Sequence, residues 1–244
     1  MSLPHFFAGA PEPGEAVVLE PEDAHHAIRS LRLRPGDGFT SSDGRGAVVR
    51  CRVVRAERLL VEGEVVERTE EALPVPSLAV LLAPPKGDRF ASAVQKLAEV
   101  GVDDIVLVEA TRGVRRWEGQ RAERVVARMD AVAREAAKQC RRRTLPRVGG
   151  PAGWSEAIEE AIREGPAVVL WEEASGGLLD LLPAETPERL TLVVGPEGGI
   201  PEEDARAAEA EGALLASLGP NLLRVDTAAT VGAALTLGRY GRMG

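Results

Sequence analysis

Two glycine-containing segments late in the chain carry the residue types best suited to holding a small molecule. They are Gly195-Pro196-Glu197-Gly198-Gly199-Ile200 and Leu218-Gly219-Pro220-Asn221-Leu222-Leu223, the second followed by an Arg-x-Asp-Thr run from Arg224 to Thr227. Each follows an apolar run and precedes a helical pattern, so each falls where a strand of a parallel sheet would end, the place where open α/β sheets bind ligands. Gly-Pro turns there present bare backbone amides and carbonyls. Such groups can read the edge of a flat heterocycle such as adenine, while Ile200, Leu218, Leu222 and Leu223 cover its faces. Taken singly, each glycine is also what a tight strand-to-helix turn requires.

Other nucleotide signatures are missing. Neither G-x-G-x-x-G after the first strand of the α/β region nor G-x-x-x-x-G-K-[ST] occurs, which removes a dinucleotide loop and a Walker phosphate loop. Cys51 and Cys140 stand far apart, with no second Cys or His at ligand spacing, so neither a disulfide framework nor a metal site is expected. No stretch of about 18 uncharged apolar residues is present, and the first ten residues lack a basic start followed by a long apolar run. A soluble, cytoplasmic protein in a reducing compartment is expected.

The elements that must position these segments change in rhythm along the chain. Over residues 16–67, Val-rich runs and the Asp43-Gly44-Arg45-Gly46 turn suggest a small antiparallel barrel. Residues 69–77, with Glu70, Glu71, Pro74 and Pro76, have linker chemistry, giving expected domains at 1–70 and 77–244. Strand and helix patterns alternate after the linker. Strands are expected near 78–83, 105–109, 167–171, 190–195 and 213–218, and helices near 88–100, 121–140, 154–164, 201–211 and 226–239. This alternation predicts α/β architecture, a parallel sheet flanked by helices.

Charge is segregated. The formal net charge is −8, yet residues 112–147 have a local balance of +8 and residues 25–58 of +5, against −10 over 148–244. Two basic regions on an acidic body suit a nucleic-acid partner, and they equally suit Arg-rich surfaces laced with ion pairs.

Together the late loops resemble the donor-binding end of the SPOUT methyltransferases. Within that superfamily, Lys86-Gly87-Asp88-Arg89, Gln95-Lys96, Glu99 to Gly101, and Gln139-Cys140 followed by Arg142 and Pro146 are similar to the bacterial 16S rRNA uridine-N3 methyltransferases. Phe6-Phe7, His25-His26, Leu31-Arg32-Leu33 and Pro35-Gly36-Asp37 resemble that family's PUA-like RNA-binding barrel. This chain has His5, Lys138 and Ala228 at positions where the family tends to carry Arg, an acid and Thr.

The resemblance implies a trefoil-knotted parallel-sheet methyltransferase domain, a rare exception to unknotted folding, with a small N-terminal PUA-like β-barrel. It also implies a homodimer, S-adenosyl-L-methionine as cofactor, and 16S rRNA or the small ribosomal subunit as partner, with no metal and no membrane. The donor would be held by Leu170, Gly195, Pro196, Gly199, Ile200, Leu218, Gly219, Asn221, Leu222, Leu223 and Thr227. RNA would meet Arg29, Arg32, Arg34, Lys86, Arg134, Lys138, Arg141, Arg142 and Arg143. Methylation of a uridine N3 needs a proton removed and charge on O2 and O4 stabilised, for which Arg224 is the cation and Glu197 or Asp226 the base or orienter. Both acids have structural alternatives: Glu197 as a charge at the start of the next helix, and Asp226 as the N-cap of the last one. Two further readings stay open: a SPOUT enzyme acting on tRNA or a ribose 2'-hydroxyl, and a non-catalytic ribosome-assembly factor.

Overall fold

The computed structural model describes residues 3–85, 89–109, 117 and 119–243. They divide into two compact units, residues 1–73 with 137–145, and residues 74–136 with 146–244.

The first unit is built on β1 (His5–Phe6), β2 (Ala16–Val18), α1 (Pro21–Arg29), β3 (Gly38–Ser42), β4 (Ala47–Glu57) and β5 (Leu60–Glu70), its sheet ordered β1-β3-β4-β5-β2. Over residues 16–67 the strands pair antiparallel throughout, as expected. β1, ahead of that stretch, pairs with β3 in parallel, and α1 interrupts the strands. Pro21 opens that helix, where its missing N–H costs nothing, and Ala24 and Ala27 bury. Phe6, Phe39, Val49, Val53, Val61 and Val65 fill the core. The segment after residue 136 returns to this unit: the Leu145 N–H donates to Gly44 O (2.9 Å), and the Ser42 hydroxyl donates to Arg143 O (2.6 Å).

The second unit is a three-layer α/β structure. Its elements run β6 (Ser77–Leu82), α2 (Arg89–Val100), β7 (Asp104–Glu109), α3 (Gly119–Gln139), β8 (Arg147–Gly153), α4 (Trp154–Glu164), β9 (Ala167–Leu170), α5 (Leu178–Leu181), β10 (Arg189–Val194), α6 (Glu202–Glu211), β11 (Leu214–Ala216) and α7 (Val225–Arg239). The six strands pair in parallel throughout, in the order β11-β9-β10-β6-β7-β8. The central strands are apolar on both faces, as a sheet covered twice requires. Leu78, Val80 and Leu82 face α2, α3 and α7, whereas Leu81 and Ala83 belong to the layer holding α4 and α6. Gly212 ends α6 in the left-handed conformation at φ 112°. α7 approaches the sheet closely because Gly232 stands where a Cβ would lie 2.7 Å from Leu170 Cδ1.

Charge fastens the end of the sheet where the strands start. Asp104 is buried and accepts from Arg147 Nε (2.5 Å) and Arg189 (2.7 Å). Burial alone would push its carboxyl up; the two guanidiniums outweigh that and hold it below the usual range. Arg242 clasps Asp103 at 2.7 Å and donates to the carbonyls of Pro76 and Gly101, tying the C-terminal chain to the starts of β6 and β7. Among the described residues no helix is long and apolar enough to cross a membrane.

Candidate functional site

The two late loops leave the opposite end of the sheet, but their strands are not neighbours. β9 lies between β10 and β11, so whatever spans both loops must cross the end of β9. Trp171, the residue after β9, makes that crossing. Its N–H donates to Ala216 O (2.9 Å) at the end of β11, and its buried indole Nε1–H donates to Ile200 O (3.2 Å) in the first loop.

Each loop depends on a glycine for a stated steric reason. A Cβ on Gly195 would sit 2.3 Å from Ile200 Cγ1, so only glycine lets the chain fold back beneath Ile200. Gly219 takes φ +115°, and its N–H donates to the Ser217 hydroxyl (3.2 Å).

Leu170, Leu218, Gly219, Asn221, Leu222 and Leu223 line one shallow, open cleft with about 370 Å³ of empty space, the solvent at its mouth included. Sequence reasoning missed its other walls: Trp171, Glu172, Ser217 and Ala228. The strand-end rule applied to β9 would have found the first two, since neither has a glycine signature beside it. Gly195, Pro196, Gly199 and Ile200 form the adjoining loop, joined to the cleft through Trp171 and through Glu172, whose Oε1 lies where a Cβ on Gly199 would come within 2.7 Å. Thr227 sits in the first turn of α7, beside Ala228. Leu222 is 83% exposed, an apolar side chain at the mouth of the cleft.

The three candidate chemical groups are placed differently from one another. Arg224 follows the cleft residue Leu223, is itself the N-cap of α7, and makes no ion pair among the described residues. Asp226 is therefore not the N-cap. It stands inside the first turn, and Oδ2 accepts from Lys96 Nζ of α2 at 3.0 Å. That hydrogen bond holds the Asp226 carboxyl below its ordinary value against a burial effect that raises it. Oδ1 is buried with no hydrogen-bond partner among the described residues. Glu197 accepts from Arg89 at 3.0 Å. α6 begins five residues later with its own acids, Glu202, Glu203 and Asp204, so the carboxylate of Glu197 serves α2 rather than the start of α6.

The basic residues of the first unit sort into two groups. Arg29, Arg32 and Arg34 are exposed at and after the end of α1, and Arg141 is exposed at φ 58°; none has an ion-pair partner among the described residues. His25 and His26 are exposed on the same helix. Lys138, by contrast, is held by buried Asp23 at 2.7 Å, Arg143 pairs with Glu71, and Arg142 donates to the Thr144 hydroxyl (3.1 Å). Arg134 lies on α3 in the second unit, and Lys86 lies outside the described residues. Trp117, Trp154 and Trp171 are all buried, as core residues. Among the described residues no cluster of three or more His, Cys, Asp or Glu could hold a metal ion.

Comparison with known proteins gives this geometry a context. Residues 71–237 match the model of the RNA methyltransferase domain, and residues 19–66 match that of the RNA methyltransferase PUA domain. The chain is 36% identical to ribosomal RNA small subunit methyltransferase E of Mycobacterium tuberculosis over 91% of its length and 86% of that protein's. It is 28% identical to the protein of the same name from Bacillus subtilis, over 85% and 84% of the two chains. Among solved structures, ribosomal RNA small subunit methyltransferase E of Neisseria gonorrhoeae, bound to S-adenosyl methionine, superposes with a TM-score of 0.88 at 26% identity and covers 98% of each chain. With a parallel α/β unit, an N-terminal PUA domain and a cleft at the carboxyl ends of its strands, the chain belongs to the RNA methyltransferase family.

Proposed function

We propose that the protein methylates N3 of a uridine in 16S rRNA, using S-adenosyl-L-methionine, as a cytoplasmic homodimer whose substrate is the small ribosomal subunit or its rRNA. The observation that carries this reading is the cleft joining two Gly-Pro loops at the carboxyl ends of β9, β10 and β11, with a free arginine at its edge. The relatives' names supply the RNA class, and the Neisseria structure supplies the donor. On this reading residues 1–70 hold RNA, residues 77–244 form the catalytic domain, and the C-terminal chain is threaded as a trefoil knot.

The residues present fit the donor. Gly195 and Gly219 let main chain approach closely, Leu170, Leu218, Leu222 and Leu223 offer apolar faces for an adenine, and the carboxylate of Glu172 stands in the wall where a ribose hydroxyl can donate. Pro196, Gly199, Ile200, Asn221 and Thr227 complete the shell. When bound, the sulfonium supplies an electrophilic methyl. The chain's task is to align the attacking nitrogen and manage one proton. Arg224, uncommitted to any acid, stabilises the charge that spreads onto the uracil oxygens as N3 gives up its proton to solvent water. Glu197 and Asp226, each held by a cation, act as orienters; a carboxylate kept ionised by Lys96 is a weak proton acceptor. Arg29, Arg32, Arg34, Lys86, Arg134, Lys138, Arg141, Arg142 and Arg143 are the proposed RNA-facing cations, of which the unpaired ones carry phosphate contacts.

Mass mapping of modified nucleosides in small-subunit rRNA, from cells with and without the protein, tests the reading. Loss of N3-methyluridine at one position is the expected result. An unchanged map removes the substrate assignment, and loss of a 2'-O-methyl or of a tRNA modification redirects it to another RNA methyltransferase activity.

A further inference from the structure

α2 touches both late loops through two cations. Arg89, its first residue, meets Glu197 of the first loop at 3.0 Å, and Lys96, seven residues on, meets Asp226 behind the second at 3.0 Å. A spacing of seven puts both on one face of the helix. The adjoining apolar face, with Phe90, Ala93, Val94 and Leu97, is buried in the core and already packs α2 against the sheet and α7. Lys96 is 42% exposed, and pairs that open to water contribute about 0–1 kcal/mol. Helix packing therefore does not account for the pair.

The state of Asp226 sharpens the point. It is 14% exposed, Oδ2 is taken by Lys96, and Oδ1 is buried without a partner among the described residues. A half-satisfied buried carboxylate is a cost that a purely structural pair would avoid. Asp226 is also placed so that fixing it fixes its neighbours: it is two residues from Arg224 and next to Thr227, in the turn closed by the Ala228 N–H donating to Arg224 O (2.7 Å).

We infer that Lys96 is a positioning residue for methyl transfer: by gripping Asp226 it sets the first turn of α7, and with it Arg224, against the donor cleft. This rests on the proposed reading of the cleft. Lys96 touches neither donor nor base, so its removal acts on the rate of transfer more than on donor binding. Misplacing a reacting group by about 1 Å costs up to about 100-fold in rate.

The test compares wild type, Lys96→Met, Lys96→Arg, Asp226→Asn and the double variant Lys96→Met/Asp226→Asn, using small ribosomal subunits lacking the modification. Donor affinity is measured by calorimetry, and kcat and KM by methyl incorporation. For Lys96→Met the expected result is a fall in kcat of about 10- to 100-fold, with donor Kd and KM for RNA changed less than about threefold. Lys96→Arg restores most of the rate, because a guanidinium can still reach the carboxylate. Because Lys96 acts through Asp226, the double variant is no slower than Asp226→Asn alone. Should Lys96→Met leave Asp226 uncompensated and fail to fold, the double variant, which has no unpaired carboxylate, is compared with Asp226→Asn instead. A wild-type rate in Lys96→Met, multiplying losses in the double variant, or a loss of donor affinity equal to the loss of rate overturns the inference. If wild type itself neither binds donor nor methylates the subunit, the reading of the cleft fails instead.

Discussion

At the scale of single residues, ion pairing separates groups that look alike in sequence. Three charged residues cluster near the second loop and the first, yet only Arg224 is free of a partner among the described residues, while Glu197 and Asp226 are committed to α2. Replacing Arg224 by Ala should lower kcat by about 100- to 1,000-fold, the range for removing one donor to a developing anion, and leave donor affinity within about threefold. Single-turnover methylation beside calorimetry checks this; a rate near wild type removes Arg224 from the chemistry. His5 makes a different prediction, for stability. Its ring lies edge-on to Phe7 and bonds the Thr40 hydroxyl, and burial, aided by Arg143, pushes its pKa down to about 4. An unfolded chain binds that proton near pH 6.5, so between about 6.5 and 4 the unfolded state holds the extra proton. Stability conferred by the neutral ring is complete above pH 6.5 and is lost as pH falls toward 4. In denaturant titrations across that window, His5→Phe should show a pH dependence shallower by about one proton; an identical slope would mean His5 titrates normally.

At the scale of elements, the loops work because steric demands at individual glycines differ. Gly195 has no room for a Cβ, whereas a Cβ on Gly198 meets nothing within 4 Å and its φ is not positive. Gly195→Ala should therefore displace Ile200, break the hydrogen bond from Trp171 to its carbonyl and abolish donor binding in calorimetry. Gly198→Ala should bind as wild type, and equal effects of the two would show that loop composition rather than close packing matters. The same contrast explains what was legible beforehand. Apolar runs bounded by Gly and Pro marked β6, β9 and β10, and the helical spacing of Trp154, Ala157, Ile158 and Ala161 marked α4. β8 was not legible: Arg147–Gly153 reads as a glycine-rich turn, and its strand state comes from pairing with β7, where a Cβ on Gly150 would lie 2.4 Å from Leu107 O. α1 lay hidden among strand signals because its buried positions are the acid Asp23 and the small Ala24 and Ala27, with Ile28 only partly buried beside them. The strand order that brings Trp171 and Glu172 into the cleft is a non-local property that no local pattern carries.

At the scale of the whole molecule, a chain of net charge −8 binds polyanionic RNA only if its unpaired cations are gathered locally. Counting basic residues overstates that surface, because internal pairing has already used some of them. Lys138 is neutralised by Asp23, and Arg143 by Glu71; Arg29, Arg32 and Arg34 keep their charge for a partner. A cation that meets a phosphate releases counterions, and each such contact adds about 0.7–0.9 to the slope of log affinity against log salt. Replacing Arg29, Arg32 and Arg34 together by Gln should weaken rRNA binding and flatten that slope by about 2 to 3, with little change in unfolding temperature because none of the three is paired. Lys138→Gln should do the reverse: it leaves the buried Asp23 carboxylate without its cation, so unfolding temperature falls while the salt slope is unchanged. Fluorescence anisotropy over a salt series, beside thermal unfolding of the same variants, separates the two. A slope unaffected by the triple replacement, or reduced by Lys138→Gln as much as by an exposed arginine, would place the phosphate contacts elsewhere on the chain.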